Sequence, residues 1–209
     1  MAKRSRIGVF GGSFDPIHIG HLVAAINAKV ACDLDRVLMV VAANPWQKTT
    51  DREITSASLR LAALEAAIRD VDGLESSGLE LDRQGPTYTI DTLESLRREL
   101  PDADLFLIVG TDVAAGLDTW HRPDDVARTA ELVVVNRPGN PFPSLGREWR
   151  THHVEIPAID ISSTDLRRRL SDGEPLDFLV PPAAVACLLS AGLYAGVSQT
   201  MPREGSTAE

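Results

Sequence analysis

Residues 8 to 21 read Gly8-Val9-Phe10-Gly11-Gly12-Ser13-Phe14-Asp15-Pro16-Ile17-His18-Ile19-Gly20-His21. The apolar run from Ile7 to Phe10 fits a central strand, Gly11-Gly12 lets the backbone turn sharply and approach a ligand closely, and Asp15-Pro16 breaks any continuation. From about Ile19 the pattern is helical, with Leu22, Ile26 and Val30 on one stripe, so His18 and His21 fall three apart on the first turn and can face one ligand. A helix N-terminus presents unpaired N–H groups and a partial positive charge, and imidazole donors beside it add directional hydrogen bonds to phosphate oxygens. Strand, glycine turn and helix start together predict a nucleotide-phosphate site, with Gly11, Gly12, Ser13, Phe14, His18, Gly20 and His21 as candidate contacts. The same histidines could be ordinary surface residues or half of a zinc site, although no Cys or third His sits nearby in the sequence. Two commoner nucleotide signatures are absent: G-x-G-x-x-G does not follow this strand, and no G-x-x-x-x-G-K-[ST] loop occurs.

Working outward, strand-like runs recur at Val37 to Ala42, Leu105 to Val109 and Leu132 to Val135, with helical patterns around residues 20–31, 57–69, 90–100 and 124–130. Leu79 to Leu81 and His153 to Ile156 are further candidate strands. This alternation predicts an α/β fold, a doubly wound Rossmann-like parallel sheet whose ligands bind outside the carboxyl ends of its strands. After Ile156 the helical patterns Ser163 to Leu170 and Pro182 to Ala191 predict a small C-terminal helical subdomain at about 160–195, within a single domain of residues 1–195. Residues 196–209 lack an apolar stripe and are expected to form a mobile tail.

The chain has 209 residues, 44% hydrophobic and 24% charged, which suits one soluble globular domain with a sizeable core. It contains no long apolar run and no signal-like N-terminus, so a cytoplasmic protein without membrane partners is expected. Cys32 and Cys187 lie in helix-like apolar stretches and read as buried, reduced thiols. A formal charge of -9 argues against broad nucleic-acid binding but not against nucleotides. An acidic protein that binds a small anion must concentrate its cations locally, and Lys48, Arg137 and Arg167 are the candidates. Self-association is left open.

Ile161-Ser162-Ser163-Thr164-Asp165-Leu166-Arg167 opens another helix. Alone it reads as a cap, with Ser162 and Asp165 fitting a capping box. Beside the first motif it reads as a second phosphate clamp: Arg167 lies four residues after Ser163, on the same helix face, where a guanidinium can reach phosphates held by the helix start. Arg168 and Arg169 are expected to point into solvent.

Both stretches resemble the signatures of the nucleotidyltransferases that transfer AMP or CMP with a His-x-Gly-His motif, the second matching Ile-Ser-Ser-Thr-x-x-Arg without a gap. Arg83-Gln84-Gly85-Pro86-Thr87-Tyr88-Thr89-Ile90-Asp91-Thr92, Gly110-Thr111-Asp112, Trp120 and Asn136-Arg137-Pro138-Gly139 extend the likeness, in order and spacing, to bacterial nicotinate-mononucleotide adenylyltransferases. The resemblance covers residues 6 to about 195. It implies transfer of AMP from ATP to nicotinic acid mononucleotide by direct in-line attack, with pyrophosphate leaving and Mg2+ carried by the ATP phosphates rather than by a protein metal cage. It assigns His18, His21 and Arg167 to charge stabilisation, and Gly110, Asp112, Ser162 and Ser163 to ATP, with Asp112 against the ribose. Lys48 and Arg137 would hold the acceptor phosphate, and amides near Tyr88, Thr89 and Gly116 the nicotinate carboxylate.

Each assignment has a plainer counterpart. Trp120 could stack on a pyridine ring or serve as a lid or core residue, and Asp112 could be a helix cap. The second loop departs from the relatives' Pro-His pattern, reading Asn44-Pro45-Trp46-Gln47-Lys48, which leaves Gln47 without a role while Lys48 keeps the basic position. A nicotinamide mononucleotide acceptor and a non-catalytic nucleotide-binding regulator are the competing readings.

Overall fold

In the computed structural model, which describes residues 4–43, 54–83, 85, 87–136, 141–146 and 149–192, the opening apolar run is strand β1, Ser5–Gly12. Helix α1 (Ile19–Ala31) follows, then β2 (Arg36–Val41), α2 (Ala57–Ile68), β3 (Leu74–Ser77), α3 (Thr89–Glu99) and β4 (Ala103–Gly110). Short α4 (Thr111–Ala114), a single 3-10 turn at Leu117–Thr119, α5 (Pro123–Thr129), β5 (Glu131–Asn136), β6 (Thr151–Glu155), α6 (Ser163–Ser171) and α7 (Pro182–Ser190) complete the described elements.

The six strands form one sheet in the order β3-β2-β1-β4-β5-β6, and every neighbouring pair is parallel. Successive strand residues point to opposite faces, and the apolar side chains divide accordingly. Val37, Met39, Phe106, Ile108, Val133 and Val135 meet α1, α2, α6 and α7 on one face. Ile7, Val9, Leu38, Leu105, Leu107, Leu132 and Val134 meet α3 and α5 on the other. Burial on both faces explains why these strands read as continuous apolar runs. Helices α6 and α7 bury Leu166, Leu170, Ala184 and Leu188 in the same core as α1 and α2.

The chain reverses direction across the sheet between β1 and β4, the switch point at which a doubly wound sheet opens a crevice. The predicted sheet and six of its helices are therefore present, with three local corrections. The third strand is Leu74–Ser77, not Leu79 to Leu81, because the chain turns at Gly78: the Leu79 N–H donates to Ser77 Oγ, and the Leu81 N–H to the Gly78 carbonyl. On α1 the buried residues are Ala24, Ala25 and Ala28, whereas Val30 is 75% exposed; small alanines let the helix lie close to the sheet. Cys32 is buried, but Cys187 is only half-buried. Among the described residues no helix is long and apolar enough to cross a membrane.

Candidate active site

The turn after β1 is made differently from the sequence expectation. Gly11 and Gly12 remain in the strand, paired with Val40 and Val41 of β2. The left-handed residue is Phe14, with φ of 45°, a conformation that bulky residues rarely adopt without surrounding support. Its ring, 1% exposed, slides beneath Gly12, where a Cβ would come within 2.8 Å of it. Gly12 thus supplies space rather than flexibility. A Cβ on Gly11 would meet nothing within 4 Å, and this side of the strand faces the cavity described below.

Phe14 props the histidine pair. Its ring packs edge-on against His21, with centroids 5.1 Å apart and an interplanar angle of 80°. His18 is the N-cap of α1 and His21 its third residue, so the His18 backbone N–H reaches His21 Nδ1 at 3.3 Å. His18 is buried and His21 half-buried. Gly20 has a steric reason: a Cβ there would stand 2.9 Å from Ile161 Cγ2 and 3.0 Å from His18 Nδ1.

Ile161 leads directly into α6, and through it the two sequence motifs meet. Ser163 Oγ donates to the Pro16 carbonyl at 3.1 Å, and Arg167 Nη1 donates to the Asp15 carbonyl at 2.6 Å. Arg167 also donates to Thr164 Oγ1 at 2.9 Å. Ser162 caps α6, its Oγ accepting from the Asp165 N–H at 3.1 Å. The capping box is not completed by Asp165, whose carboxylate turns to Arg168 and Arg169. Hydrogen bonds from Arg168 and then Arg169 hold the Asp165 carboxyl below the usual carboxylate range. Arg168 also pairs with Asp172 and Glu174, and Arg169 with Glu174, so these arginines knit the outer face of α6 together instead of merely pointing into solvent.

Next to this cluster a cavity opens at the carboxyl ends of β1 and β4, walled by Gly11, Gly12, Ser13, Gly110, Tyr88, Thr89 and Trp120. Its volume of about 260 Å³ lies near the lower end of small-molecule sites. Tyr88 is the N-cap of α3 and Thr89 its first residue, so the start of the helix, whose opening N–H groups have no intrahelical carbonyl four residues back, forms part of the wall; the Asp91 N–H turns to the Tyr88 carbonyl at 3.1 Å. Tyr88 stacks on His121 at 4.3 Å and 29°. The loop carrying Trp120 and His121 is tied to α3 by Arg122, which pairs with Glu94 at 2.8 Å and with Asp125 at 2.5 Å.

Two predicted residues stand apart from the wall. Asp112 is exposed in the first turn of α4, between the wall residues Gly110 and Val113. Gly116 is occupied by a turn: its N–H donates to the Val113 carbonyl, and its own carbonyl accepts from Thr119. Lys48, Arg137, Trp46 and Gln47 lie outside the described residues, as does the segment 196–209.

Sequence reasoning missed Glu80, Thr87, Thr92 and His121, which all line the cavity. Thr92 Oγ1 donates to Glu80 Oε1 at 2.7 Å and accepts from Arg83 Nη1 at 3.0 Å. The Arg83 to Thr92 segment carried a usable signal, since Thr92 lies one helical turn after Tyr88. Glu80 carried none, because its segment read as a strand.

A family model described as cytidylyltransferase-like matches residues 9–169. The chain belongs to the cytidylyltransferase-like family. That match spans both halves of the site, from the β1 turn to Arg167. Within the family, the chain is 41% identical over 197 residues to a protein of an Arthrobacter species named "Probable nicotinate-nucleotide adenylyltransferase", covering 94% of this chain and 95% of that one. A protein of the same name from a Nocardioides species is 44% identical over 188 residues, 88% of this chain and 91% of its own. The nicotinic acid mononucleotide adenylyltransferase of Plasmodium falciparum complexed with NaAD superposes with a TM-score of 0.70 at 18% identity, covering 91% of this chain and 98% of that one. At that identity the structural likeness establishes a shared fold alone.

Proposed function

We propose that this protein transfers AMP from ATP to nicotinic acid mononucleotide, giving deamido-NAD and pyrophosphate in NAD biosynthesis. One observation carries the reading: the β1 turn, the paired histidines and the start of α6 are bound to one another at the sheet's switch point, beside a cavity walled by Tyr88, Thr89 and Trp120. The names borne by relatives above 40% identity over most of their length support the choice of acceptor.

In this reading a phosphate oxygen of the mononucleotide attacks the α-phosphorus of ATP in line, and the bond to the pyrophosphate oxygen breaks. The acceptor phosphate is already ionised near neutral pH, so no general base is required. His18 and His21, at the start of α1, donate to phosphate oxygens and stabilise the charge that spreads over them. Arg167 and the amides of Ser162 and Ser163 hold the outer phosphates, with Arg167 exchanging its bonds to the Asp15 carbonyl and the Thr164 hydroxyl for phosphate oxygens. Gly11 and Gly110 admit the nucleotide close to the strand ends, and Asp112 accepts from ribose hydroxyls.

Trp120 stacks on the pyridine ring, and the amides opening α3 at Thr89 receive the carboxylate. An acceptor amide brings donors of its own to those N–H groups and is disfavoured. Gly116, whose amide is already used, supports the loop instead. Lys48 and Arg137 are proposed for the acceptor phosphate from their sequence positions alone. Among the described residues no group of three or more His, Cys, Asp and Glu side chains is gathered to hold a metal. Mg2+ is proposed to arrive on the ATP phosphates, where it would neutralise charge.

Pyrophosphate release, measured with ATP, Mg2+ and either nicotinic acid mononucleotide or its amide, tests the proposal. Release with the acid alone supports both enzyme and acceptor. Equal release with both removes the carboxylate argument, and tight nucleotide binding without release with either favours a regulator.

A further inference from the structure

Arg60 is among the largest fully buried side chains of the described residues, with 1% of its surface exposed. It projects from the start of α2, whose other buried residues, Ala63, Leu64 and Ile68, are apolar. A buried guanidinium is costly unless its donors are well satisfied, and an apolar side chain of similar volume would serve packing alone. The arrangement of its partners gives the charged group a reason to be there. Nε donates to the Thr55 carbonyl at 2.8 Å, Nη1 to the Ser13 carbonyl at 2.6 Å, and Nη2 to the Ala42 and Ala43 carbonyls at 2.7 and 3.3 Å. Ser13 and Ala42 both line the cavity, at the ends of β1 and β2, and the Ala42 N–H completes the link by donating to the Gly12 carbonyl at 2.9 Å.

We propose that Arg60 is a positioning residue for adenylyl transfer, acting by clamping the peptide plane between Ser13 and Phe14. The Ser13 carbonyl belongs to the same rigid plane as the Phe14 nitrogen, so fixing its direction fixes one side of Phe14's φ rotation. A bulky residue at φ of 45° persists only where its surroundings over-determine it. Arg60 supplies that constraint, Phe14 then places its ring edge against His21, and His21 is held toward the phosphates. A lysine in its place has one ammonium nitrogen and cannot hold the diverging carbonyls of Thr55, Ser13 and Ala42 in a planar fork. The catalytic consequence rests on the adenylyltransferase reading above; the clamp itself does not.

Arg97 provides a matched control. Its guanidinium, on α3, also donates to two backbone carbonyls, Ala103 at 2.6 Å and Thr129 at 2.9 Å, but neither residue lines the cavity. Arg60→Lys and Arg97→Lys are compared with the wild type by thermal melting, by steady-state pyrophosphate release well below the melting points, and by amide hydrogen exchange. Both variants are expected to melt earlier. Only Arg60→Lys is expected to lower kcat, by about tenfold to a hundredfold, as misplacement of reacting groups does. Only Arg60→Lys should also speed exchange across residues 13–21.

Should Arg60→Lys fail to fold, Arg60→Gln, with a planar two-donor amide, is the substitute. Wild-type kcat in the Arg60 variant, unchanged exchange at 13–21, or an equal loss of kcat in Arg97→Lys overturns the proposal. A wild type without turnover sinks the functional reading instead, and the exchange comparison still decides the clamp.

Discussion

The rings of His18 and His21 lie stacked, with centroids 3.7 Å apart and planes 29° from parallel, while the His18 backbone N–H donates to Nδ1 of His21. A nitrogen that accepts a hydrogen bond does not carry the proton, so neutral His21 holds its hydrogen on Nε2 at the far side of the ring. The helix cap thereby selects the tautomer that can donate to a phosphate oxygen. His21→Ala removes that donor, and the expected loss in kcat is about 10²- to 10³-fold, the range for one preorganised donor to a charged transition state. Pyrophosphate release with melting as a fold control checks this; turnover near that of the wild type would refute the role.

Gly20→Ala should separate activity from stability. Alanine improves helix propensity by about 1 kcal/mol, which offsets part of the crowding against Ile161 and His18. The melting temperature is expected to move by only a few degrees, roughly 2–4 °C per kcal/mol at this size. Relief of the contact must shift either the histidine pair or the segment opening α6, both of which are proposed to hold the phosphates. A tenfold or greater fall in kcat is expected, on the order of what sub-ångström misplacement costs. An Ala variant with full kcat would show that this close approach has no catalytic consequence.

Trp120→Ala is expected to raise the KM for the mononucleotide more than that for ATP. Stacking beyond simple area burial contributes about 0.5–1.5 kcal/mol, so a rise of roughly twofold to tenfold is the minimum. Trp120→Phe, which keeps an aromatic face, should recover part of it. Paired KM measurements in which both substrates weaken alike would place Trp120 in loop support rather than stacking.

The ion cluster on α6 predicts a small pH effect. Because Arg168 and Arg169 lower the Asp165 pKa in the folded chain, the folded state prefers the carboxylate. The stabilisation is present above the unfolded carboxylate's pKa of about 3.9 and is lost as pH falls through the lower folded value. The pairs are surface-exposed and screened, so Asp165→Asn should melt only slightly earlier than wild type at pH 7. That gap should narrow as pH falls through and below the unfolded carboxylate's range, and shrink in high salt. A gap that persists unchanged at acid pH in melting curves would assign the effect to something other than charge.

How much was legible follows from which forces are local. Periodicity located β1, β2, β4 and β5 because strands buried on both faces must be apolar throughout, and it located the longer helices through their apolar patterns, with Ser162 marking the start of α6. The histidine pair was readable because residues three apart on a helix start are neighbours whatever the rest of the chain does. Val30 shows the limit: its stripe fitted a helix, but which face met the sheet was decided by how closely Ala24, Ala25 and Ala28 could approach it. The strand expected at Leu79 to Leu81 failed similarly, since Glu80 turns toward Thr92 and the cavity.

The amino-acid sequence by itself determined the doubly wound sheet, the two motifs at helix starts and the kind of ligand proposed for them, because hydrophobic period, helix starts and donor chemistry are properties of short stretches. Only the tertiary structure decided that Phe14 rather than a glycine makes the turn, that Arg167 and Ser163 bind the Asp15-Pro16 turn, and that Arg60 holds Ser13 and Ala42 together. The last two relationships join residues that are 18 to 152 positions apart. No local pattern encodes them, since a contact between distant residues exists only after the sheet has brought its strand ends side by side.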